Sequence, residues 1–337
     1  MVSVIVPVYK SEQTLERCVN SLLMQDYDDI EILLIVDGPP DGSGILADKL
    51  AKTDDRIRVI NQTNQGVSKA RNRGIAEAKG EYIRFLDSDD FVEKQSISPM
   101  VEAMERDGSD LVIAGFHHLY FGDKIKKVPE VTGVFEVASA AEELKKLYTG
   151  GFLNMPWNKL LRAEKIKGGF PTDRELGEDL LFNLEYILDA RKISVIDACV
   201  CEYIQDDRGT TLSTKKRDNK VETALYLYEK SKGFFKALGM ESGRQMSFLD
   251  TKVITTFLDE VEITGFAEGD RREKRKVIQS FADATADFLA DGEPKVIRPD
   301  KLDYKIIYFF LKRKMIGMTM CMVTLRSRIV KLVRKGR

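Results

Sequence analysis

The chain has 337 residues, 43% hydrophobic and 32% charged, with a formal net charge of −1 at pH 7. That is an ordinary globular composition with room for one large domain and an appendage, or for two modest domains. Only two histidines, His117 and His118, are present, and the four cysteines lack zinc spacing, which argues against His-based nucleophilic catalysis, a His-rich metal site or a zinc module and suits reduced core thiols.

The charge is unevenly spread. Residues 301–337 hold eleven Lys or Arg against the single acid Asp303, so the first 300 residues carry the negative balance. The basic tail is therefore the expected docking surface, and the body carries no nucleic-acid signature. The opening MVSVIVPVY reads as a strand without a basic leader, so no signal peptide is expected.

Residues 2–8 are a continuous apolar run, as a strand buried on both faces requires. Residues 11–25 follow with Leu15, Cys18, Val19, Leu22 and Leu23 on one helical face. Strands are expected at 31–36, 57–60 and 82–86, with helices at 45–51, 67–79 and around 100–105 between or after them. That alternation points to crossover units and a mostly parallel sheet. A fifth strand is expected at 110–115 and a hairpin or extended excursion at 116–137, turning at Gly122-Asp123. Residues 138–148 and 176–190 read as helices, and 150–171 as irregular. From 219 onward the pattern is helical, at roughly 219–238, 246–264 and 271–290. No repeat or low-complexity segment interrupts it.

The densest chemistry lies in GEYIRFLDSDD, residues 80–90, where a buried strand runs into Asp87, Asp89 and Asp90. Open α/β sheets bind ligands at the carboxyl ends of their strands, and crowded carboxylates there suit Mg²⁺ or Mn²⁺ with substrate phosphate. A plain solvated turn is the competing reading. A calcium loop fails, because Val92 and Ser98 stand where that loop needs Gly and Glu. Asp37 ends another strand, and residues 64–72 (NQGVSKARN) give a Gly-containing helix entry with two cations, suited to diphosphate oxygens. Neither a G-x-G-x-x-G nor a Walker-type loop is present.

With VSVIVPVYKSEQTLERCVNSLLMQ, EILLIVDGPPDGS, NQGVSKARNRG and GEYIRFLDSDD in that order, residues 1–115 resemble the family 2 glycosyltransferases, inverting enzymes with the GT-A fold common in bacterial capsular, exopolysaccharide and cell-wall synthesis. PWNKLLR, GEDLLF and the stretch from Tyr203 to Ser213 resemble the acceptor half of the same family. The expected fold is α/β: a Rossmann-like, mostly parallel GT-A sheet with flanking helices over 1–215, split into a nucleotide-sugar half (1–115) and an acceptor half (116–215). A helical region (216–300) and basic amphipathic C-terminal helices (301–337) complete it.

The resemblance implies a role for each matching position. Pro7, Val8 and Tyr9 would line the nucleotide pocket, with Asp37 facing the base and Arg71 near the base, ribose or phosphates. Asp87 and Ser88 would hold the donor, Asp89 with Asp87 the Mn²⁺ or Mg²⁺, and Arg208 and Ser213 would contact phosphate from a closing loop. Asp179 would be the general base with Glu178 beside it, and Gly177 and Trp157 would face the acceptor. Bland readings exist for several: Asp37 as a turn residue, Arg71 paired with Glu77, Glu178 and Asp179 as helix-start acids, and Trp157 as core. Two departures stand out: Lys10 where the family usually has Asn, and Val36-Asp37-Gly38-Pro39 where it usually has two adjacent Asp.

The implied reaction is transfer of a sugar from a nucleoside diphosphate donor, UDP by preference, to an acceptor hydroxyl. Implied partners are that donor, a glycan or lipid-linked acceptor, an anionic membrane surface reached through 301–337, and a second copy of the chain, with no nucleic acid. The implied place of work is the cytoplasm, peripheral at the inner face of the plasma membrane, since neither apolar run of the tail approaches the ~20 residues of a spanning helix. The alternatives are a sugar-1-phosphate nucleotidyltransferase, disfavoured because residues 4–12 contain no Gly, and a non-catalytic nucleotide-sugar-binding scaffold docked at a membrane.

Overall fold

Short apolar runs separated by amphipathic segments cannot bury themselves alone, and they assemble here into one sheet flanked by helices. A computed structural model describes residues 1–120, 123–174, 176–205, 220–241, 245–250, 253, 254, 256, 258, 270–284, 306–310 and 313–335. The chain divides into two compact units, Met1–Lys215 and Lys216–Arg337.

In the first unit β1 (Val2–Val8), β2 (Ile30–Asp37), β3 (Ile57–Gln62) and β4 (Tyr82–Phe85) lie parallel in the order β3-β2-β1-β4. Helices α1 (Leu15–Leu23), α2 (Ser43–Leu50) and α3 (Val67–Glu77) connect them. β2 is buried along its whole length and β1 nearly so, as their unbroken apolar runs require of strands covered on both faces. Val8 registers with Val36 and Ile5 with Phe85, so the exits of β1, β2 and β4 share one edge of the sheet. Tyr9, Asp37 and the Asp87–Asp90 turn meet there.

Beyond β4 the order continues through β8 (Lys159–Arg162), β5 (Leu111–Tyr120), β9 (Lys192–Gln205) and β7 (Gly133–Glu136), with β6 (Asp123–Lys127) paired to β5. β8 is antiparallel to both neighbours. Neither β8 nor β9 is among the expected strands. β8 is four residues inside a stretch punctuated by Gly150, Gly151 and Pro156, too short for any period to show. β9 interrupts its apolar positions with Asp197 and Glu202, and its pairing with β5 shifts register twice. β5 is longer than expected because it runs straight into the hairpin with β6, whose turn residues 121 and 122 lie outside the described residues. Helices α4 (Ser98–Asp107), α5 (Ala141–Thr149) and α6 (Glu178–Asp189) complete the unit.

The close approach of α3 to β1 depends on Gly74. A Cβ there would collide with Cγ2 of Ile5, itself fully buried. Gly74→Ala is therefore expected to cost about 1–3 kcal/mol by overpacking, read as a lower urea midpoint with an unchanged slope. A midpoint equal to the native one would show that α3 can move away without loss.

The second unit contains α7 (Lys220–Ala237), α8 (Arg271–Ala284) and α9 (Ile316–Lys335). Val221, Ile254, Leu258, Ile278, Ile307, Tyr308, Ile316, Met320 and Val323 form its core. Apolar residues of the basic tail are thus buried with residues of 216–300, while Phe309, Met315, Met318 and Leu325 remain exposed. Among the described residues no helix is long and apolar enough to cross a membrane.

Candidate active site

The site grows from the end of β4. The ladder closes with Leu86 N donating to Ile5 O at 3.1 Å, and the chain then turns tightly, Asp90 N donating to Asp87 O at 3.1 Å. The three carboxylates part company in that turn. Asp90 is 2% exposed and its Oδ1 accepts from Ile204 N at 3.0 Å, so it fastens β9 to the turn. Burial, with the charges of Asp87 and Asp89, pushes its carboxyl well above the usual range. Asp89 is raised by burial and then by Asp87, and its backbone oxygen accepts from Arg17 Nη2 at 2.7 Å. Arg17 also lies over the Phe91 ring, 4.9 Å from its centroid. Nothing in the local pattern of α1 marks Arg17 as a partner of this turn.

Asp87 takes the other direction. Its Oδ1 accepts from Arg71 Nη2 at 2.9 Å, while Arg71 Nη1 donates to Asp179 Oδ1 at 2.6 Å. Arg71 comes from α3 and its side chain is only 4% exposed, whereas Asp87 and Asp179 keep 32% and 27% of theirs in solvent. A sealed guanidinium thus holds two half-buried carboxylates. Burial opposes its charge, and Asp179 and then Asp87 outweigh that, raising it above its ordinary value. The Phe170 ring covers it at 5.1 Å, itself held by Asn72, which donates to Phe170 O and accepts from Phe170 N. The pairing with Glu77 considered above falls instead to Arg58 and Arg73.

Asp179 sits in the first turn of α6 beside Glu178, after Gly177 in the left-handed region (φ 82°). That conformation favours glycine, and it sets the angle at which the chain enters the helix. Burial pushes the Asp179 carboxyl up to about 7; Arg71 and Lys159 pull it down, Glu178 and Asp87 push it further up. Lys159 is a residue that the sequence does not single out. It is 1% exposed, donates to Phe152 O and Asn158 Oδ1 at 2.8 Å and to Met155 O, and burial pushes its ammonium down to about 7. With Asn183, which donates to Leu153 O and Met155 O, it fixes the loop before β8 to α6.

At the exit of β1, Pro7 and Val8 lie in the sheet and Tyr9 emerges 44% exposed. Ser88 shares a 2.6 Å hydrogen bond with Ser11, joining that exit to the aspartate turn. Asp37 is 3% exposed: Oδ1 accepts from Gln62 Nε2 and Gln65 N, and Oδ2 from Gly66 N, all at 2.8 Å. It shapes the entry to α3. Trp157 is 3% exposed, stacked on Tyr203 and edge-on to Phe116. Its faces are covered, so the acceptor-platform expectation gives way to a core role. Arg208 and Ser213 lie outside the described residues.

For a divalent cation, Asp87 and Asp89 offer hard oxygen ligands on one turn, and the part of the rise at Asp89 and Asp90 that comes, after burial, from neighbouring carboxylate charge is what a cation would relieve. Water and ligand phosphate would have to supply the remaining positions. A second cluster, Glu93, His117 and Glu202, also brings ligand atoms together. There Lys124 Nζ already stands 2.7 Å from Glu93 and 2.8 Å from Glu202, and an ammonium serves as the cation.

With this geometry in hand, the profile described as Glycosyl transferase family 2 matches residues 3–170. EpsH of Bacillus subtilis, named as a glycosyltransferase, is 34% identical over 241 residues, 69% of this chain and 68% of that one. The chain belongs to glycosyl transferase family 2. The glycosyltransferase EpsJ of Bacillus subtilis is 37% identical over 217 residues, so this family 2 enzyme spans 63% of that relative's length. Its fold matches residues 1–349 of Staphylococcus aureus TarS, crystallised with UDP-GlcNAc, at a TM-score of 0.67 and 20% identity, covering 97% of this chain and 91% of that one. The GT-A expectation for this glycosyltransferase therefore holds.

Proposed function

We infer that this glycosyltransferase moves a sugar from a nucleoside diphosphate donor to an acceptor hydroxyl during bacterial surface glycan synthesis. The observation that carries the reading is the Asp87–Arg71–Asp179 bridge: one buried guanidinium sets a carboxylate of the strand-end turn against a carboxylate at the start of α6. A donor held at Asp87 then has its anomeric carbon between the diphosphate and a base.

Asp179 accepts the proton of the attacking hydroxyl as the oxygen forms its bond to the anomeric carbon and the bond to the diphosphate breaks. One displacement inverts that centre. A base with its proton affinity near neutrality is well matched to this task. Glu178, next to it, is placed to orient the acceptor. Asp89 and Asp87 would hold Mg²⁺ or Mn²⁺, which when bound neutralises charge on the departing diphosphate. Tyr9 and Pro7 form the nucleotide wall, backed by the fully buried Val8, with Asp37, whose Oδ2 has a second lone pair suited to the N3 proton of uracil, and Ser88 fixes the turn beneath. The UDP-GlcNAc bound to TarS, a protein of the same fold, supports a UDP donor.

Release of UDP from UDP-sugars, measured with and without Mn²⁺, tests the reading. Metal-dependent UDP release that rises with a glycan or lipid-linked acceptor is expected. Pyrophosphate as product would mean a nucleotidyltransferase, and no turnover with tight UDP binding would mean a scaffold.

Exposed Phe309, Met315, Met318 and Leu325 beside Arg313 and Lys314 favour a contact with an anionic membrane surface, where lipid-linked acceptors are presented. The full-length protein is expected to sediment with anionic vesicles at low salt and to be released as salt rises. A protein that stays in the supernatant at low salt would remove the membrane from this account.

A further inference from the structure

Resting on the nucleotide-sugar reading above, we propose that Lys10 is a donor-contact residue whose ammonium binds the diphosphate, and that its backbone is held in a strained conformation to keep it there. Lys10 has φ 54°, in the left-handed region, and among the described residues Lys314 is the one other non-glycine with a positive φ. A side chain with a Cβ pays for that conformation with roughly 1–2 kcal/mol. The neighbouring exit from β2 reaches the same region with a glycine, Gly38, at φ 55°. Strain of this kind persists where the surroundings over-determine it.

Those surroundings are visible. On one side, Val8 is locked in the ladder against Val36. On the other, Ser11 N donates to Ser43 Oγ at 2.7 Å, Ser11 Oγ donates to Tyr9 O at 3.1 Å, and the same hydroxyl bonds Ser88. Lys10 is therefore one residue from a direct tie to the position between Asp87 and Asp89. Nearby acids are otherwise engaged. Asp41 accepts from Ser43 Oγ at 2.6 Å and from Ser43 N at 3.2 Å, and Glu12 Oε2 accepts from Gly42 N at 3.1 Å. Among the described residues Lys10 has no acidic partner; its Nζ lies over the exposed Tyr9 ring, 5.4 Å from the centroid. A solvated cation parked on an aromatic face, at the rim where a diphosphate would lie, has phosphate oxygens as its natural acceptors, and Lys serves them as a point charge.

Strain and charge can be separated by substitution. Lys10→Met keeps the Cβ and an unbranched stem one atom shorter and removes the charge; Lys10→Asn removes the charge and tolerates the left-handed region. Binding of UDP, GDP and uridine is measured by calorimetry in Mg²⁺ at two salt concentrations, with melting temperatures alongside. Lys10→Met should weaken UDP about 10-fold, lose part of the salt dependence, leave uridine unchanged and melt as the native protein does. Lys10→Asn should weaken UDP equally yet melt about 2 °C higher. A residue with a purely structural role would not lose ligand while gaining stability. If both variants bind UDP as tightly as the native chain while Asp89→Asn binds it more weakly, the Lys10 proposal is overturned and the nucleotide reading stands. If the native chain binds neither UDP nor GDP, both fall together.

Discussion

Asp179→Asn is expected to lower turnover by at least about 10²-fold while donor affinity stays within a few-fold of native. The amide keeps the shape and can still accept a hydrogen bond from Arg71, so the donor side of the bridge survives; only the proton acceptor is lost. The pH dependence follows from the same group. Burial raises the Asp179 carboxyl to about 7, and the reaction needs it ionised, so native turnover should fall as pH drops through that value and level off above it. Asp179→Asn should lack this acid limb. Glu178→Gln, next to it, should lose less. Turnover within a few-fold of native in Asp179→Asn, with its acid limb intact, would remove Asp179 as the base and leave it a binding residue.

Much of the sheet and of the donor rim is legible before any coordinates. Buried parallel strands write themselves as unbroken apolar runs, and the residues that stop them, Asp37 and Asp87–Asp90, fall at the strand exits by necessity. What escapes is whatever depends on partners far along the chain. Arg71 and Asp179 are 108 positions apart, and no periodicity selects one acid among the many available. Asp37 looks free in sequence, but three N–H groups from Gln62, Gln65 and Gly66 converge on it once α3 begins where it does. Trp157 reads more often as core than as platform, and Tyr203, on the unforeseen strand β9, decides it by covering its face. Lys159 has the same history: a lysine two residues after a tryptophan carries no sign that three oxygens enclose it.

Asp89→Asn is expected to abolish nearly all metal-dependent transfer, and excess chelator should do the same to the native enzyme. Of the three acids in the turn, Asp90 is spent on Ile204 N and Asp87 is shared with Arg71, which leaves Asp89 as the carboxylate with no cationic side chain bonded to it among the described residues. Its backbone is held by Arg17 through the carbonyl, so the Asn variant should keep the turn and lose the charge. Asp87→Asn should behave differently. It removes one anchor of Arg71, so both donor affinity and rate should fall, and the Asp179 carboxyl should move as well. Arg71 then turns its whole charge toward Asp179, which lowers that carboxyl and shifts the acid limb of the rate to lower pH. Two measurements therefore separate the neighbours: titration of Mn²⁺ against rate, which should fail in Asp89→Asn and shift to higher Mn²⁺ in Asp87→Asn, and the pH profile, which should move only in Asp87→Asn. Native rates in Asp89→Asn, or in the native enzyme under chelator, would take the metal out of the mechanism and leave charge neutralisation to the protein's own cations.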